Sequence, residues 1–227
     1  DRLLSRGLGD VYKRQGIVFS EHSRNADRVY DDFYAETNFA DLMATSYDIE
    51  HKDNLTSACA SIEYEACEAS LILTGQSKTD VDWIASKFYG IEQGDVNKLW
   101  AVEGSVTPSA GEIVIDAHFA LHDEINMEIG DTIDIIVGEE GVQTFTVIGI
   151  ANSPLELFYA NPDSLLPQES TYVVAYMDAE VLAEVSGNEP LARNTLNIDL
   201  LGTPEFDFSD TEEIEGLALQ QIKGTLE

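Results

Sequence analysis

Short runs of β-branched and aliphatic residues, separated by turn residues, fill the middle of the chain and reach their greatest density over residues 111–151. Apolar and polar positions alternate along several of these runs, as they do in strands with one buried face. The tetrapeptide at 138–141, Gly-Glu-Glu-Gly, is a turn signal between two such runs. The pattern predicts a strand over 112–116, about two helical turns over 117–126, and a β-hairpin of 132–137 and 142–150.

Helical and strand patterns flank this β-rich middle on both sides. Apolar residues at helical spacing, among them Val29, Phe33 and Ala40, predict a helix over 27–45. Near the other end, the order strand, helix, strand, helix indicates a split βαβ unit. The further predicted elements are a short helix at 53–60, strands at 62–74, 81–91, 171–177 and 195–201, and helices at 178–186 and 210–223.

Residues 155–168 contain Pro162 and Pro167 and predict an irregular loop. Phe158 and Tyr159 within it are candidates for a contact surface, and packing against the adjoining sheet is an equal alternative.

The first 15 residues differ in composition from the rest, since they hold four of the 12 basic residues and two of the 43 acidic ones. This segment resembles the translation of a sequencing adapter, so we expect a leader that is not native and leave it out of fold reasoning. Residues 16–20, GIVFS, are either the end of a transmembrane helix or a short buried segment. The sequence contains no apolar run of about 18 residues that would span a membrane.

The net charge of −31 changes the expected partners. Such a surface repels phosphates and anionic headgroups, which excludes nucleic acid as a partner. One interpretation is a solvated surface suited to salt or to an extracellular setting. The other is a binding surface for cations or for a basic ligand. In both cases we expect stability to rise with added salt, because salt screens repulsion between like charges.

The two cysteines, Cys59 and Cys67, match neither a zinc motif nor a CxxC redox motif. In an oxidising compartment they could form one disulfide that closes a short loop. Two small buried residues without a bond are the alternative. The sequence leaves both open.

Four histidines are present, and only His118 and His122 have suggestive spacing. On a helix they would share a face, and two histidines with a carboxylate from Asp116, Asp123 or Glu124 can bind zinc. The zincin pattern HExxH is absent, however, which favours two surface histidines. We therefore assign no metal site.

Other catalytic patterns are also absent from the sequence. There is no nucleophile elbow, no Walker A loop, no GxGxxG and no EF-hand loop. Neighbouring acids such as Asp31-Asp32 and Glu212-Glu213 diverge on a helix and make poor acid–base partners. We assign no catalytic or cofactor-binding residue and no cofactor, and we predict that the chain is not an enzyme.

A set of short segments, taken in order over residues 27–201, resembles the extracytoplasmic domain of MacB/FtsX-family ABC transporter permeases. Each segment is only a strand or a turn, and their order carries the resemblance. The extreme acidity and the loop at 155–168 depart from the family pattern. The segments are Tyr30-Asp31-Asp32-Phe33-Tyr34, Asn38-Phe39-Ala40-Asp41, Gly90-Ile91-Glu92, Asn97-Lys98-Leu99, Glu103-Gly104, residues 111–116, Phe119-Ala120, residues 130–133, residues 147–151, Ser153-Pro154 and residues 172–177.

The resemblance implies an α+β fold with a porter-like α/β part, formed by both chain ends, and an inserted β-rich subdomain. We expect residues 27–91 and 168–227 in the first part and 92–167 in the second. Residues 16–26 would be membrane-proximal. This division agrees with the order of elements predicted from the residues.

The resemblance also implies a role at the extracytoplasmic face of the membrane, anchored by transmembrane helices outside this sequence. Family members couple a cytoplasmic ATPase to export or extraction of a lipid, lipoprotein or peptide, or to a partner protein. The resemblance further implies that the permease is a dimer and that this domain has no catalytic residue. A free-standing secreted acidic module for a cation or basic ligand is the alternative, and an acidic hydrolase with an unmarked carboxylate pair is the third hypothesis.

Overall fold

The structure, a computed structural model, describes residues 29, 32–79, 82–92, 94–156, 170–202, 216, 218, 220 and 221. Residues 32–37 are helical, and nine strands and three labelled helices follow. In chain order these are β1 (Leu42–His51), α1 (Lys52–Ser57), β2 (Tyr64–Lys78), β3 (Trp83–Ile91), β4 (Trp100–Gly104), β5 (Glu112–Asp116), α2 (Ala117–Ala120), β6 (Thr132–Ile136), β7 (Val142–Asn152), β8 (Tyr172–Asp178), α3 (Ala179–Val185) and β9 (Ala192–Leu200). Single 3₁₀ turns lie at Ala58–Ser61 and Pro154–Glu156.

All nine described strands belong to one hydrogen-bonded system, and eight of them follow the order β1-β9-β2-β3-β8-β5-β7-β4. Strand β6 pairs with both β7 and the end of β2, so β2, β3, β8, β5, β7 and β6 form a closed ring. Closure removes the free edges of these strands, which would otherwise offer unpaired backbone groups.

Strands from early and late in the sequence pair with one another next to this ring. Strands β2 and β3 form an antiparallel hairpin, and β8 lies parallel to β3. The chain then crosses through α3 to β9, which is inserted between β1 and β2. The predicted split βαβ unit is therefore confirmed.

Helices α1 and α3 pack against the same face of this sheet. Leu55 of α1 contacts the side that carries Ala69 and Leu196, while Leu182 of α3 lies over Gly90. A Cβ atom at Gly90 would lie 3.0 Å from the Cα of Ala179, so glycine permits the close approach of α3. The opposite face of the sheet borders a cavity.

The main core fills the ring of strands. Its members are aliphatic and aromatic residues on the inward face of each strand, and removing them from water is the main stabilising term of the fold. Fully buried examples are Leu71, Phe88, Ile113, Ile115, Ile135, Val147, Val173 and Ala175.

A second, smaller core lies under α1 and contains Leu55, Cys59, Leu196 and Ile198. Cys59 and Cys67 are joined by a disulfide, so the 3₁₀ turn after α1 is covalently tied to β2. The question that the sequence left open is thereby answered.

The predicted helix over 27–45 is wrong in its second half. The helical residues end at 37, and β1 begins at Leu42. Asn38 adopts a left-handed conformation with φ of 48°, which is a common way to end a helix. Of the apolar positions beyond residue 38, Ala40 is buried before β1 begins, and Ala44 of β1 packs against the smaller core.

The predicted two-turn helix over 117–126 is also too long. Helix α2 is a single turn, Ala117–Ala120, and the backbone N–H groups of Ile125 and Asn126 then turn back to the carbonyl of His122. Asn126 has a φ of 46°, which breaks a regular helix.

The other predicted strands and the helices at 53–60 and 178–186 are confirmed, with ends shifted by a few residues. The predicted loop at 155–168, with Phe158 and Tyr159, lies almost wholly outside the described residues. In the predicted helix at 210–223, residues 216, 218, 220 and 221 are helical and the others lie outside the described part.

The division at 91/92 and 167/168 stays a prediction. Strands β6 and β5 of the segment predicted to be inserted pair with β2 and β8, respectively.

Candidate functional site

A cavity of about 320 Å³ lies on the sheet face opposite α1 and α3. Strands β2, β3, β8 and β9 form its floor, and the segments around residues 96, 106 and 153 form its walls. Its volume falls near the lower end of the range for small-molecule sites, about 300–1,000 Å³. The lining includes Glu68, Ser70, Tyr89, Val96, Asn97, Lys98, Leu99, Val106, Leu155, Tyr176 and Asn197.

Two stacked tyrosines form the centre of the floor. Tyr89 and Tyr176 are directly paired across parallel strands β3 and β8, so their side chains share a face. Their ring centroids lie 5.5 Å apart with an interplanar angle of 23°. Burial raises the pKa of both hydroxyl groups well above the ordinary tyrosine value.

Each tyrosine hydroxyl is held by a buried carboxylate. The hydroxyl of Tyr176 donates to Oδ2 of Asp116 at 3.0 Å. Oδ1 of Asp116 accepts a hydrogen bond from the backbone N–H of His118 at 3.0 Å and lies 2.8 Å from Nδ1 of that histidine. Asp116 therefore caps α2 and anchors the cavity floor at the same time.

The second carboxylate, Glu156, holds Tyr89 from the other side. Oε1 of Glu156 accepts hydrogen bonds from the hydroxyl of Tyr89 and, at 2.8 Å, from Nζ of Lys87. The Lys87 ammonium also lies 4.8 Å from the centre of the Tyr89 ring. Burial, with a contribution from the charge of Glu156, raises the pKa of Tyr172 to about 12.

This network is suited to positioning groups and not to transferring protons. The two tyrosine hydroxyls stay neutral at physiological pH, since their pKa values lie far above it, and they donate hydrogen bonds to the two carboxylates. Within the described residues, every buried side-chain nitrogen or oxygen has a hydrogen-bond partner. The two tyrosines and their carboxylates thus form a buried polar seam beneath the cavity, whose lining mixes apolar and polar side chains.

Glu68 forms one rim of the cavity. Its carboxylate accepts hydrogen bonds from the backbone N–H groups of Asp95 and Val96. Burial raises the pKa of Glu68 against the opposing effect of these two hydrogen bonds. A Cβ atom at Gly94 would lie 2.0 Å from Oε1 of Glu68, so a larger residue there would displace the carboxylate.

Asparagine side chains fix the same rim to the sheet. The backbone N–H of Asn97 donates to the carbonyl of Asn38 at 2.8 Å, and Oδ1 of Asn97 accepts from the N–H of Ala40 at 3.0 Å. Nδ2 of Asn97 donates to Oδ1 of Asn197 on β9 at 3.2 Å. Asn97 thus joins three segments that are far apart in sequence. The sequence did not predict this role, although Asn38 and Asn97 both lie in segments that resemble the permease family.

A largely buried ion pair adjoins the cavity, because Glu92 is one of its lining residues. The side chain of Arg193 is 1% exposed, and its Nε and Nη2 donate to Oε1 of Glu92 at 3.0 and 2.8 Å. Lys52 donates to the other oxygen of Glu92. Burial alone would raise the pKa of Glu92, but the hydrogen bonds from Lys52 and Arg193 outweigh it and lower that pKa.

The two histidines considered as zinc ligands do not share a helical face. His118 contacts Asp116, while Nδ1 of His122, beyond the end of α2, accepts from the N–H of Glu124 at 3.2 Å. Within the described ranges, no three His, Cys, Asp or Glu residues are grouped so that they could hold a metal ion. In the same part of the chain, no helix is long and apolar enough to cross a membrane.

No family model matches the chain, and no curated protein matches it in sequence. The crystal structure of the extracellular domain of YknZ, a noncanonic ABC-type transporter from Gram-positive bacteria, does match its fold. The TM-score is 0.51 at 13% sequence identity, over 80% of this chain and 86% of that one. At this identity the likeness establishes the fold alone, and it confirms the expected α+β fold.

A second solved structure is the periplasmic region of MacB from Actinobacillus actinomycetemcomitans, with a TM-score of 0.47 and 13% identity. The alignment covers 78% of this chain and 77% of that one. This score is too low to support an argument of its own.

Proposed function

We propose that this chain is the extracytoplasmic domain of an ABC transporter permease and that it has no catalytic activity. One observation carries the proposal, namely the fold shared with the extracellular domain of YknZ over 86% of that domain. The order of family-like segments along the sequence supports it independently.

The disulfide supports the proposed location. Bonds between cysteines persist in oxidising compartments outside the cytoplasm and are rare inside it. The Cys59–Cys67 bond ties α1 to β2 inside the smaller core, as a structural disulfide does. An extracytoplasmic position therefore agrees with the chemistry of the chain as well as with its fold.

In this proposal the domain is moved by a cytoplasmic ATPase through transmembrane helices outside the present sequence. The permease acts as a dimer, and the domain assists export or extraction of a lipid, lipoprotein or peptide, or acts on a partner protein. The closed ring of strands and the buried polar seam suit such a task, because a rigid body transmits displacement without deforming.

A free-standing secreted acidic module is the second candidate. The net charge of −31 favours it, because such a surface can attract a cation or a basic ligand without any membrane part. This candidate predicts function in the isolated domain, whereas the permease requires ATP-driven movement.

The experiment is a distance measurement by electron spin resonance on the intact permease with its ATPase in lipid vesicles. Within this chain both native cysteines are bonded to each other, so one engineered cysteine at exposed Glu139 takes the label there, and any cysteines elsewhere in the permease and its ATPase are replaced by serine. In a dimer this label reports the separation of the two external domains. We expect the distance distribution to differ between the nucleotide-free and ATP-bound states.

An ATPase variant that cannot bind ATP serves as the control and should give the nucleotide-free distribution throughout. A wild-type distribution unchanged by ATP, with ATP hydrolysis intact, would contradict the proposed coupling.

A further inference from the structure

Strand β1 is the outermost described strand at its end of the sheet, and it carries an irregularity. Thr45 pairs with Thr195 and Glu50 pairs with Arg193, so residues 46–49 lie opposite the single residue Asn194. The side-chain amide of Asn194 bonds to the backbone of Ile72 on β2, where its Oδ1 accepts from the N–H and its Nδ2 donates to the carbonyl. Residues 46–49, the β1 bulge, therefore have no paired residue on β9.

The β1 bulge presents apolar side chains to solvent. Tyr47 is fully exposed and Ile49 is 41% exposed, with Met43 on the adjoining stretch of β1. A tyrosine held away from the core adds nothing to folding, but it is a side-chain type enriched at protein interfaces.

The ends of the bulge are fixed. The hydroxyls of Thr45 and Thr195 lie 3.3 Å apart, and the N–H of Asp48 donates to Oγ of Ser46 at 3.1 Å. Just beyond it, the N–H of Lys52 donates to the carbonyl of Leu191 at 2.8 Å. The backbone around Tyr47 is thus constrained by contacts at both ends, which limits the entropy lost on binding.

An open groove of about 580 Å³ separates the bulge from α1. Tyr47 and the half-buried Ala44 supply apolar surface, the buried Leu55 and Leu196 lie beneath them, and Asp48 and Glu50 supply carboxylates. None of the described residues that line it is basic. In contrast, the cavity beside Tyr89 includes Lys98, and a third hollow includes Lys78.

We propose that the β1 bulge and its groove dock a basic segment of a partner protein. An apolar side chain of that segment packs against Tyr47 and the groove floor, while flanking Lys or Arg side chains pair with Asp48 and Glu50. This inference deepens the proposed function, since it states the chemistry of the partner on which the domain acts.

The carboxylates of the groove favour a basic segment as its occupant. A second copy of the chain would bring its own carboxylates against Asp48 and Glu50, and like charges at an interface are unfavourable. A partner with basic residues beside an apolar one meets both the charge and the surface of the groove.

The test uses the peptide Lys-Lys-Phe-Lys-Lys, with both ends blocked, in calorimetric titrations of this chain at physiological salt. We expect Tyr47→Ala to weaken binding about tenfold, as truncation of an interface anchor does. We expect Asp48→Asn with Glu50→Gln to weaken it about fivefold. The peptide Lys-Lys-Ala-Lys-Lys should bind more weakly than the phenylalanine peptide.

Matched variants separate a docking site from general attraction to an acidic protein. Asp123→Asn with Glu124→Gln removes the same charge from the exposed turn after α2, and Leu121→Ala truncates an exposed apolar side chain there. Both should change the affinity less than about twofold.

Equal losses from the two charge pairs, or no loss from Tyr47→Ala, would overturn the proposal. Sedimentation showing a dimer that Tyr47→Ala abolishes would also overturn it, because the occupant would then be a second copy. These measurements need no membrane or ATP, so their failure is distinguishable from failure of the permease proposal.

Discussion

The hydroxyl of Tyr176 on β8 donates a hydrogen bond to the fully buried carboxylate of Asp116 at the end of β5, 3.0 Å away. In the predicted division, β8 belongs to the part built from the chain ends and β5 belongs to the inserted segment. The two strands also pair directly, at Val114 with Tyr176. One contact thus joins the predicted halves of the molecule and anchors the cavity floor.

This arrangement predicts a loss of stability at alkaline pH. The folded pKa values of Tyr89, Tyr172 and Tyr176 lie above the ordinary 10.0, so folding favours their neutral forms. The stabilisation is complete below the unfolded value and is lost as pH rises through the folded values. We expect the free energy of unfolding, measured with urea, to fall between about pH 10 and about pH 12.

Tyr176→Phe removes one of the three ionisations and should make this decline shallower. It should also cost about 1–3 kcal/mol at neutral pH, because Asp116 loses a buried donor. Tyr47→Phe is the matched control at a fully exposed tyrosine and should leave the profile unchanged. Equal stability at about pH 9 and about pH 11 would contradict the account of the buried tyrosines.

Glu92→Gln should destabilise the fold by about 2–4 kcal/mol, because it leaves the buried guanidinium of Arg193 without a carboxylate. Since the folded pKa of Glu92 is lowered, its contribution is present above the unfolded value of 4.5 and is lost as pH falls through the folded one. Urea unfolding at neutral and acidic pH measures both effects.

Asp95→Asn is the control for this variant. It removes the carboxylate of the exposed Lys98–Asp95 pair, and such pairs contribute about 0–1 kcal/mol. Equal effects of the two substitutions would show that burial of Arg193 does not matter.

Reduction of the Cys59–Cys67 bond should lower stability by about 2–3 kcal/mol, because the bond closes a loop with a sequence separation of 8. For a domain of this size the melting temperature would fall by about 5–10 °C. Thermal unfolding with and without a reductant measures the change. The double variant Cys59→Ser with Cys67→Ser should not respond to the reductant, and a wild-type protein that also fails to respond would contradict the prediction.

Added salt should raise the melting temperature. Repulsion among the many carboxylates extends about 30 Å at 10 mM salt and only about 3 Å at 1 M, while the net charge is −31. Thermal unfolding across this range of sodium chloride gives the trend. Trehalose at matched osmolarity controls for general exclusion effects, and a melting temperature that stays flat in salt would refute the prediction.

Local pattern was sufficient to predict most strands and the helix α3, since alternation and an Asp178 cap are visible in the sequence. The end of the helix at residues 32–37 was not predictable, because it depends on Asn38, whose carbonyl accepts a long-range hydrogen bond from the N–H of Asn97. The Tyr176–Asp116 contact spans 60 residues and requires the strand register, which no local signal encodes. The same holds for the β1 bulge, where only the pairing with β9 reveals the extra residues.

The most direct test of the central claim is recovery and translation of the DNA on both sides of this coding segment. The permease account predicts an apolar helix of about 20 residues just before residue 16, further such helices after residue 227, and a neighbouring ATPase gene. It also predicts that residues 1–15 are absent from the native gene. A signal peptide upstream and a stop codon soon after residue 227 would contradict the account and leave a secreted acidic module.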